Sequence, residues 1–186
     1  IYLTGKGNFR EDLVDYYKAN REGMEKPVLW QDIRDYLLNV HNAVLIEGME
    51  ADDACSLALA NNPEAICVSN DKDLWTVPGW HINPTKDPLA LELVTEEAAL
   101  KFFYTQILWG DKVDNIKGLP YCADTTIKTY KLHHSARKGC GRTSADKLLE
   151  DCETEQELYD RCLEAYVEYE KQELAAVMTE TVEDGW

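Results

Sequence analysis

Two stretches decide how this chain folds: Ala43–Asp53, AVLIEGMEADD, and Ala65–Asp73, AICVSNDKD. Each opens on four apolar residues, turns through Gly or Asn, and closes on tightly spaced carboxylates. A short apolar run bounded by turn signals reads as a buried strand. Between the two runs lies ADDACSLALA, residues 51–60, small and apolar enough for a helix packed closely on a sheet. Strand, helix, strand in this order predicts an α/β fold with a mainly parallel sheet.

The same alternation extends outward. Ile1-Tyr2-Leu3 reads as a strand running into the Gly-rich turn Thr4–Asn8. The chain thus begins inside what reads as a strand, and we expect a fragment with upstream sequence missing. Residues 9–21 are amphipathic. Pro27 is placed to start a helix through Val40, with Val28, Ile33, Leu37 and Val40 near helical spacing. His81–Asn83 reads as a further short strand, and Thr95-Glu96-Glu97 caps a helix to about Trp109. Residues 111–149 are Gly-punctuated and helical in short pieces. Thr154-x-x-Glu157 is a capping box opening a helix to about Lys171, and the last dozen residues read as frayed.

The chain has 186 residues and a formal net charge of −16. So acidic a total argues against a nucleic-acid partner, which is bound by Lys and Arg. The distribution argues otherwise. Residues 1–34 are neutral, 35–110 carry −9, 111–149 carry +4, and 150–186 carry −11. The one net-positive block contains Lys117, Lys138, Arg142 and Lys147. No run of about 18 apolar residues exists, so no membrane span is expected. The six cysteines form no CxxC pair, which together with the absence of a signal peptide predicts a reducing cytoplasm. Cys122, His133, His134 and Cys140 match no standard zinc spacing, and we read them as packed cysteines and surface histidines. Trp30, Trp75, Trp80 and Trp109 read as core or groove residues, and Tyr159, Tyr166 and Tyr169 as the packing stripe of an acidic helix.

Three carboxylate clusters stand out: Glu50, Asp52 and Asp53; Asp71 and Asp73; Asp111 and Asp114, followed by Asn115. Two follow apolar strands, and open α/β sheets bind ligands beyond the carboxyl ends of strands. Any one cluster alone reads as turn and N-cap decoration. Three together read as a site for hard cations, Mg²⁺ or Mn²⁺, because only oxygen ligands are offered. Gly139-Cys140-Gly141 precedes a helix starting near Thr143 or Ser144, and glycines there let backbone N–H groups approach a phosphate.

In order, these motifs resemble the 5′-nuclease superfamily, specifically phage-type 5′–3′ exonucleases and flap endonucleases. The matching pieces are YKANR (Tyr17–Arg21), EADD (Glu50–Asp53), SNDKD (Ser69–Asp73), GDKVDNIKG (Gly110–Gly118) and GCGRTSADKLL (Gly139–Leu149). The resemblance covers most of residues 1–150. It implies a PIN-like nuclease domain over 1–109, a helix–three-turn–helix DNA-binding region over 110–172 with an insertion at 121–138, and a tail at 173–186. It also implies metal-dependent hydrolysis of DNA phosphodiesters with two ions, Mg²⁺ or Mn²⁺. Glu50, Asp52 and Asp53 would serve one ion; Asp71, Asp73, Asp111 and Asp114 the other, some through water. Lys18 and Arg21 resemble the pair that contacts the scissile phosphate, acting as catalytic cations. Arg10, Lys117, Lys138, Gly139, Gly141, Arg142 and Lys147 would contact DNA, with K⁺ a further ion for the Gly-rich hairpin.

Two departures follow. The resemblance places a metal-binding Asp on a first strand not present here, and a carboxylate after the strand Ile1–Leu3, where this chain has Thr4-Gly5. The first ion position is therefore depleted in this fragment. RNase H-type removal of RNA from RNA–DNA hybrids uses the same motifs, and a catalytically weakened DNA-binding module is the reading from another class. A monomer acting in the host cytoplasm is expected.

Overall fold

Residues 1–183 are described in this computed structural model, with side chains described to residue 176. The apolar runs become short strands: β1 (Tyr2–Thr4), β2 (Val44–Ile46) and β3 (Ile66–Val68). The helices between them are α1 (Phe9–Leu13), α2 (Trp30–Val40) and α3 (Ala51–Asn61). Strands β4 (Gly79–Ile82) and β5 (Leu91–Val94) follow, then α4 (Glu96–Trp109). β5 was not evident in the sequence; its alternation is obscured by the polar stretch before it.

Local chemistry sets the boundaries. Asn8 caps α1 by accepting from the Arg10 N–H at 3.1 Å. Asp53 Oδ2 accepts the Glu50 N–H at 2.9 Å, tying the first turn of α3 to its N-cap. Thr95 Oγ1 accepts from the Ala98 N–H at 3.1 Å where α4 begins. Proline tolerates a helix start, yet α2 begins at Trp30, three residues after Pro27, because residues 28–29 form a turn.

The mainly parallel sheet is present in pieces. β1 pairs parallel with β2, with Leu3 opposite Leu45. β3 pairs parallel with β4, with Cys67 opposite His81, and β5 adds antiparallel to β4. Helix α3 packs against both β1 and β3. Among the described residues no strand bridges β1 and β3, and a cleft of about 480 Å³ lies there, lined by Tyr2, Asp52, Cys55, Ile66, Val68 and Asp71. Strands expected to be buried are partly uncovered: Val68, beside the cleft, is 62% exposed, and Val44, on β2, is 50% exposed. Helix α2 likewise leaves part of its apolar stripe in solvent, with Ile33 55% and Val40 57% exposed.

The chain divides into two compact units: residues 1–99 with 113–115, and residues 100–112 with 116 onward. The buried apolar cluster of the first is small, centred on Leu59, Cys67 and Leu74.

The second unit holds the larger cluster. It contains most of α4, the two-stranded hairpin β6 (Gly110–Asp111) and β7 (Ile116–Lys117), then α5 (Asp124–Thr129), α6 (Arg142–Leu148) and α7 (Glu155–Glu183). Leu108, Leu119, Leu148 and Leu149 are at most 2% exposed within it. Gly110 and Gly118 let the hairpin close: a Cβ on Gly110, whose φ is +77°, would lie 2.2 Å from Gly118 N. The expected capping box is present, with Glu157 Oε2 accepting from the Thr154 N–H at 2.9 Å and Thr154 Oγ1 from the Glu157 N–H at 3.3 Å. Helix α7 runs past Lys171 to Glu183, so the frayed end expected there is helical as far as it is described. Residues 184–186 of the expected tail lie outside the described residues. Tyr166 and Tyr169 hold α7 down: Tyr166 donates to the Ile107 carbonyl at 2.9 Å, and Tyr169 meets Tyr121 edge-on. Tyr159 is 51% exposed and does not continue that stripe into the core.

Candidate active site

The turn after α1 carries YKANR, and its backbone is unusual. Lys18 has φ +52°, a left-handed conformation rarely adopted by a residue with a side chain. Its N–H donates to the Asp114 carbonyl at 3.0 Å. Asn115, also left-handed at φ +60°, donates its amide to the Tyr16 carbonyl at 2.8 Å. Arg21 closes on the Val113 carbonyl through its guanidinium, at 3.2 Å. These backbone ties fasten residues 16–21 to residues 113–115.

Five functional side chains meet as a result. Lys18 Nζ lies 2.5 Å from Glu50 Oε1 and 3.5 Å from Asp114 Oδ2. Arg21 pairs with Asp114 Oδ1 at 2.7 Å. The Tyr17 hydroxyl sits 3.1 Å from Glu50 Oε2 and 2.9 Å from Asp114 Oδ2. Burial first, then the hydrogen bond to Asp114, pushes the Tyr17 pKa far above its ordinary value, so it stays a donor at every working pH. Tyr17 was part of a motif, but its role as a bridge between the two carboxylates was not evident from spacing.

The other acidic residues are placed differently. Asp53 is committed to Arg10. Its two oxygens accept from Arg10 Nη1 and Nη2, both at 2.7 Å. The Arg10 hydrogen bond holds the Asp53 carboxyl below its ordinary pKa, and raises that of Arg10. Asp52 points to the β1–β3 cleft, and Asp71 lines the same cleft. Burial, then repulsion from Glu50 and Asp53, raises the Asp52 pKa. Asp71 Oδ1 caps the following turn by accepting from the Asp73 N–H at 3.0 Å. Asp73 and Asp114 each bring a carboxylate oxygen within 4.8 Å of the other, a spacing one cation can span. Asp111 stands three residues before Asp114, on β6 of the hairpin whose tip carries Asp114.

At the Thr4-Gly5 departure, Gly5 has no room for a side chain. An added Cβ would lie 2.6 Å from the Ile46 carbonyl and 2.7 Å from the Glu47 carboxyl carbon. Glu47 fills that space and accepts from the Lys6 N–H at 2.7 Å. Sequence reasoning passed over Glu47, which the parallel β1–β2 register brings alongside Gly5.

In the second unit, Gly139 has φ +141° and Gly141 is the N-cap of α6, whose first residue is Arg142. The Arg142 guanidinium lies 5.4 Å from the Phe102 ring centre and 5.8 Å from that of Trp109. Lys147 donates to the Lys131 carbonyl at 3.0 Å. Lys117 and Lys138 are exposed, on β7 and on a 3₁₀ turn respectively. Cys122 and Cys140 are buried while His133 and His134 are exposed.

No family model matches the chain. Individual proteins do. It is 32% identical over 134 residues to an exonuclease of Escherichia phage T7, a match covering 67% of this chain and 44% of the phage protein. An exodeoxyribonuclease of Enterobacteria phage T3 is 31% identical over 134 residues, with the same coverage. The chain belongs to the 5′-nuclease superfamily. DNA polymerase I of Pseudomonas aeruginosa is a further relative of this superfamily member, 32% identical over 147 residues but matched over 15% of its length. The chain spans less than half the length of the phage relatives it matches. In fold it is similar to the bacteriophage T5 flap endonuclease, in a structure described as a pseudo-enzyme–product complex with DNA and metal ions. The TM-score is 0.51 at 15% identity, covering 90% of this chain and 74% of that one.

Proposed function

We propose that this chain is the catalytic portion of a metal-dependent 5′–3′ nuclease that hydrolyses DNA phosphodiester bonds. One observation carries the reading: Lys18 and Arg21 are held directly on Glu50 and Asp114, so phosphate-attracting cations and cation-attracting carboxylates share one spot. The phage exonuclease relatives support it.

The donor set fits a hard divalent cation. It is all oxygen, and Asp73 and Asp114 lie within 4.8 Å. We assign Glu50, Asp73, Asp111 and Asp114 to holding such ions, Mg²⁺ or Mn²⁺, with Asp52 and Asp71 contributing from the cleft and two ions the expected number. When bound, a divalent cation activates water and offsets charge on the phosphoryl oxygens. Asp53 differs from the other carboxylates, because Arg10 takes both its oxygens; it orients Glu50 through the Glu50 N–H. Lys18 and Arg21 bind the scissile phosphate and stabilise the charge that grows there. Tyr17 keeps Glu50 and Asp114 facing one another.

Residues 110–172 act as the helix–three-turn–helix DNA-binding region. Gly139 and Gly141 admit a phosphate to the backbone, and Lys117, Lys138, Arg142 and Lys147 track the strand without reading bases. The test is Mg²⁺-dependent release of nucleotides or short oligonucleotides from 5′-labelled DNA by the intact protein. Loss of that release in Asp71→Asn and Asp111→Asn supports the reading; full activity in both overturns the site. Equal cleavage of RNA in RNA–DNA hybrids would redirect it to primer removal.

A further inference from the structure

We propose that Lys18 is an internal counter-ion that a divalent cation must displace, so that metal loading releases Lys18 for the phosphate. The inference rests on the nuclease reading above and concerns the regulation of that same site.

Every carboxylate oxygen of Glu50 and Asp114 is engaged. Glu50 Oε1 accepts from Lys18 Nζ at 2.5 Å and from the Asn8 amide at 2.8 Å. Glu50 Oε2 and Asp114 Oδ2 meet the Tyr17 hydroxyl, and Asp114 Oδ1 meets Arg21 at 2.7 Å. Lys18 Nζ also reaches Asp114 Oδ2 at 3.5 Å. Lys18 and Arg21 thus occupy carboxylate oxygens that a divalent cation would have to take, and like charges repel at close range. Seating a divalent cation on those oxygens requires a resident cation to give way.

Lys18 is the one built to leave. Arg21 is anchored by its guanidinium to the Val113 carbonyl as well as to Asp114, so moving it breaks several directional bonds. Lys18 holds on through one ammonium at the end of a flexible stem. Its backbone stays fixed through the N–H bond to the Asp114 carbonyl, so the stem swings without leaving the site. The ammonium is thereby delivered to the site's mouth only once the carboxylates hold metal. Metal binding and phosphate recognition become ordered events.

Calorimetric titration of the intact protein with Mn²⁺, without DNA, reads the competition directly. Removing the competitor in Lys18→Met should tighten Mn²⁺ binding by roughly tenfold, within the usual range of coupling between linked sites. Amine labelling of the wild type, quantified by mass spectrometry, reads it a second way and needs no variant. Labelling of Lys18 should rise on Mn²⁺ addition while that of Lys171, on the surface of α7, stays constant. Weaker Mn²⁺ binding by a folded Lys18→Met protein, or Mn²⁺ binding that leaves Lys18 labelling unchanged, overturns the exchange but leaves the nuclease reading standing. No Mn²⁺ binding at all overturns both.

Discussion

Arg10 grips Asp53 with two parallel hydrogen bonds of 2.7 Å each, joining α1 to the start of α3 across 43 residues of sequence. Both side chains are more than two-thirds covered. A bidentate, charge-assisted pair of this kind is stronger than a surface ion pair. Arg10→Ala should lower stability by about 1–2 kcal/mol, since each lost bond to a charged group is substantial. Arg10→Lys should recover only part of it, because an ammonium cannot present the planar fork. Urea denaturation of the three proteins checks both.

The same pair sets an acid dependence. The Asp53 pKa is depressed in the fold, chiefly by its Arg10 hydrogen bond. Its contribution is therefore fully present above the unfolded carboxyl value, about 3.9, and fades as pH falls through the lower folded value. The stability advantage of wild type over Asp53→Asn should be constant from pH 7 to pH 5 and shrink below about pH 4, a region accessible to denaturant titrations.

Asp52 has the opposite sign. Its folded pKa is raised, first by burial and then by Glu50 and Asp53. Ionised Asp52 thus costs stability above that folded value and costs nothing below the unfolded one. Asp52→Asn should be more stable than wild type at pH 7 and equal to it near pH 3. If Asp52 serves the proposed metal site, the same substitution lowers nuclease activity, so thermal melts and cleavage assays should move in opposite directions.

Asp114 sits where Tyr17, Lys18 and Arg21 converge. Asp114→Asn should reduce Mg²⁺-dependent cleavage at least about 100-fold, the upper range for losing a group that supports a bound metal. Chelation with EDTA should abolish wild-type cleavage, and excess Mg²⁺ should restore it. Steady-state assays on 5′-labelled duplex DNA measure both.

Gly118 leaves no space for a side chain: an added Cβ would lie 2.4 Å from the Trp109 carbonyl carbon and 2.5 Å from Gly110 N. Backbone atoms cannot give way cheaply. Gly118→Ala should cost about 1–3 kcal/mol and loosen the hairpin that carries Asp111. In the same unit Leu148, fully buried, should cost about 2–5 kcal/mol when replaced by Ala. Leu57, 55% exposed, should cost far less. Denaturation midpoints rank the three.

Much of this was legible in the sequence because it is local. The runs Val44–Ile46 and Ile66–Val68, the helix from Ala51 and the Thr154 capping box each depend on neighbours in the chain. The gathering of Lys18, Arg21, Glu50 and Asp114 was anticipated only through motif resemblance, since nothing in spacing brings residue 18 to residue 114. Arg10 read as a cation for DNA, yet its guanidinium is committed to Asp53. That pairing depends on how α1 meets α3, a tertiary relationship without sequence signature. Glu47 went unnoticed for a similar reason: its role follows from the register of two parallel strands. The exposure of Val44 and Val68 was also invisible, because an apolar run does not say which of its faces finds a cover.

The facing edges of β1 and β3 have a practical consequence. Among the described residues no strand pairs along either edge, and Ile1, Tyr2, Ile66 and Val68 beside them are uncovered. Such an edge is a template for any extended peptide, including another copy of the chain. Prepared in this form at high concentration, the protein should self-associate or capture foreign strands.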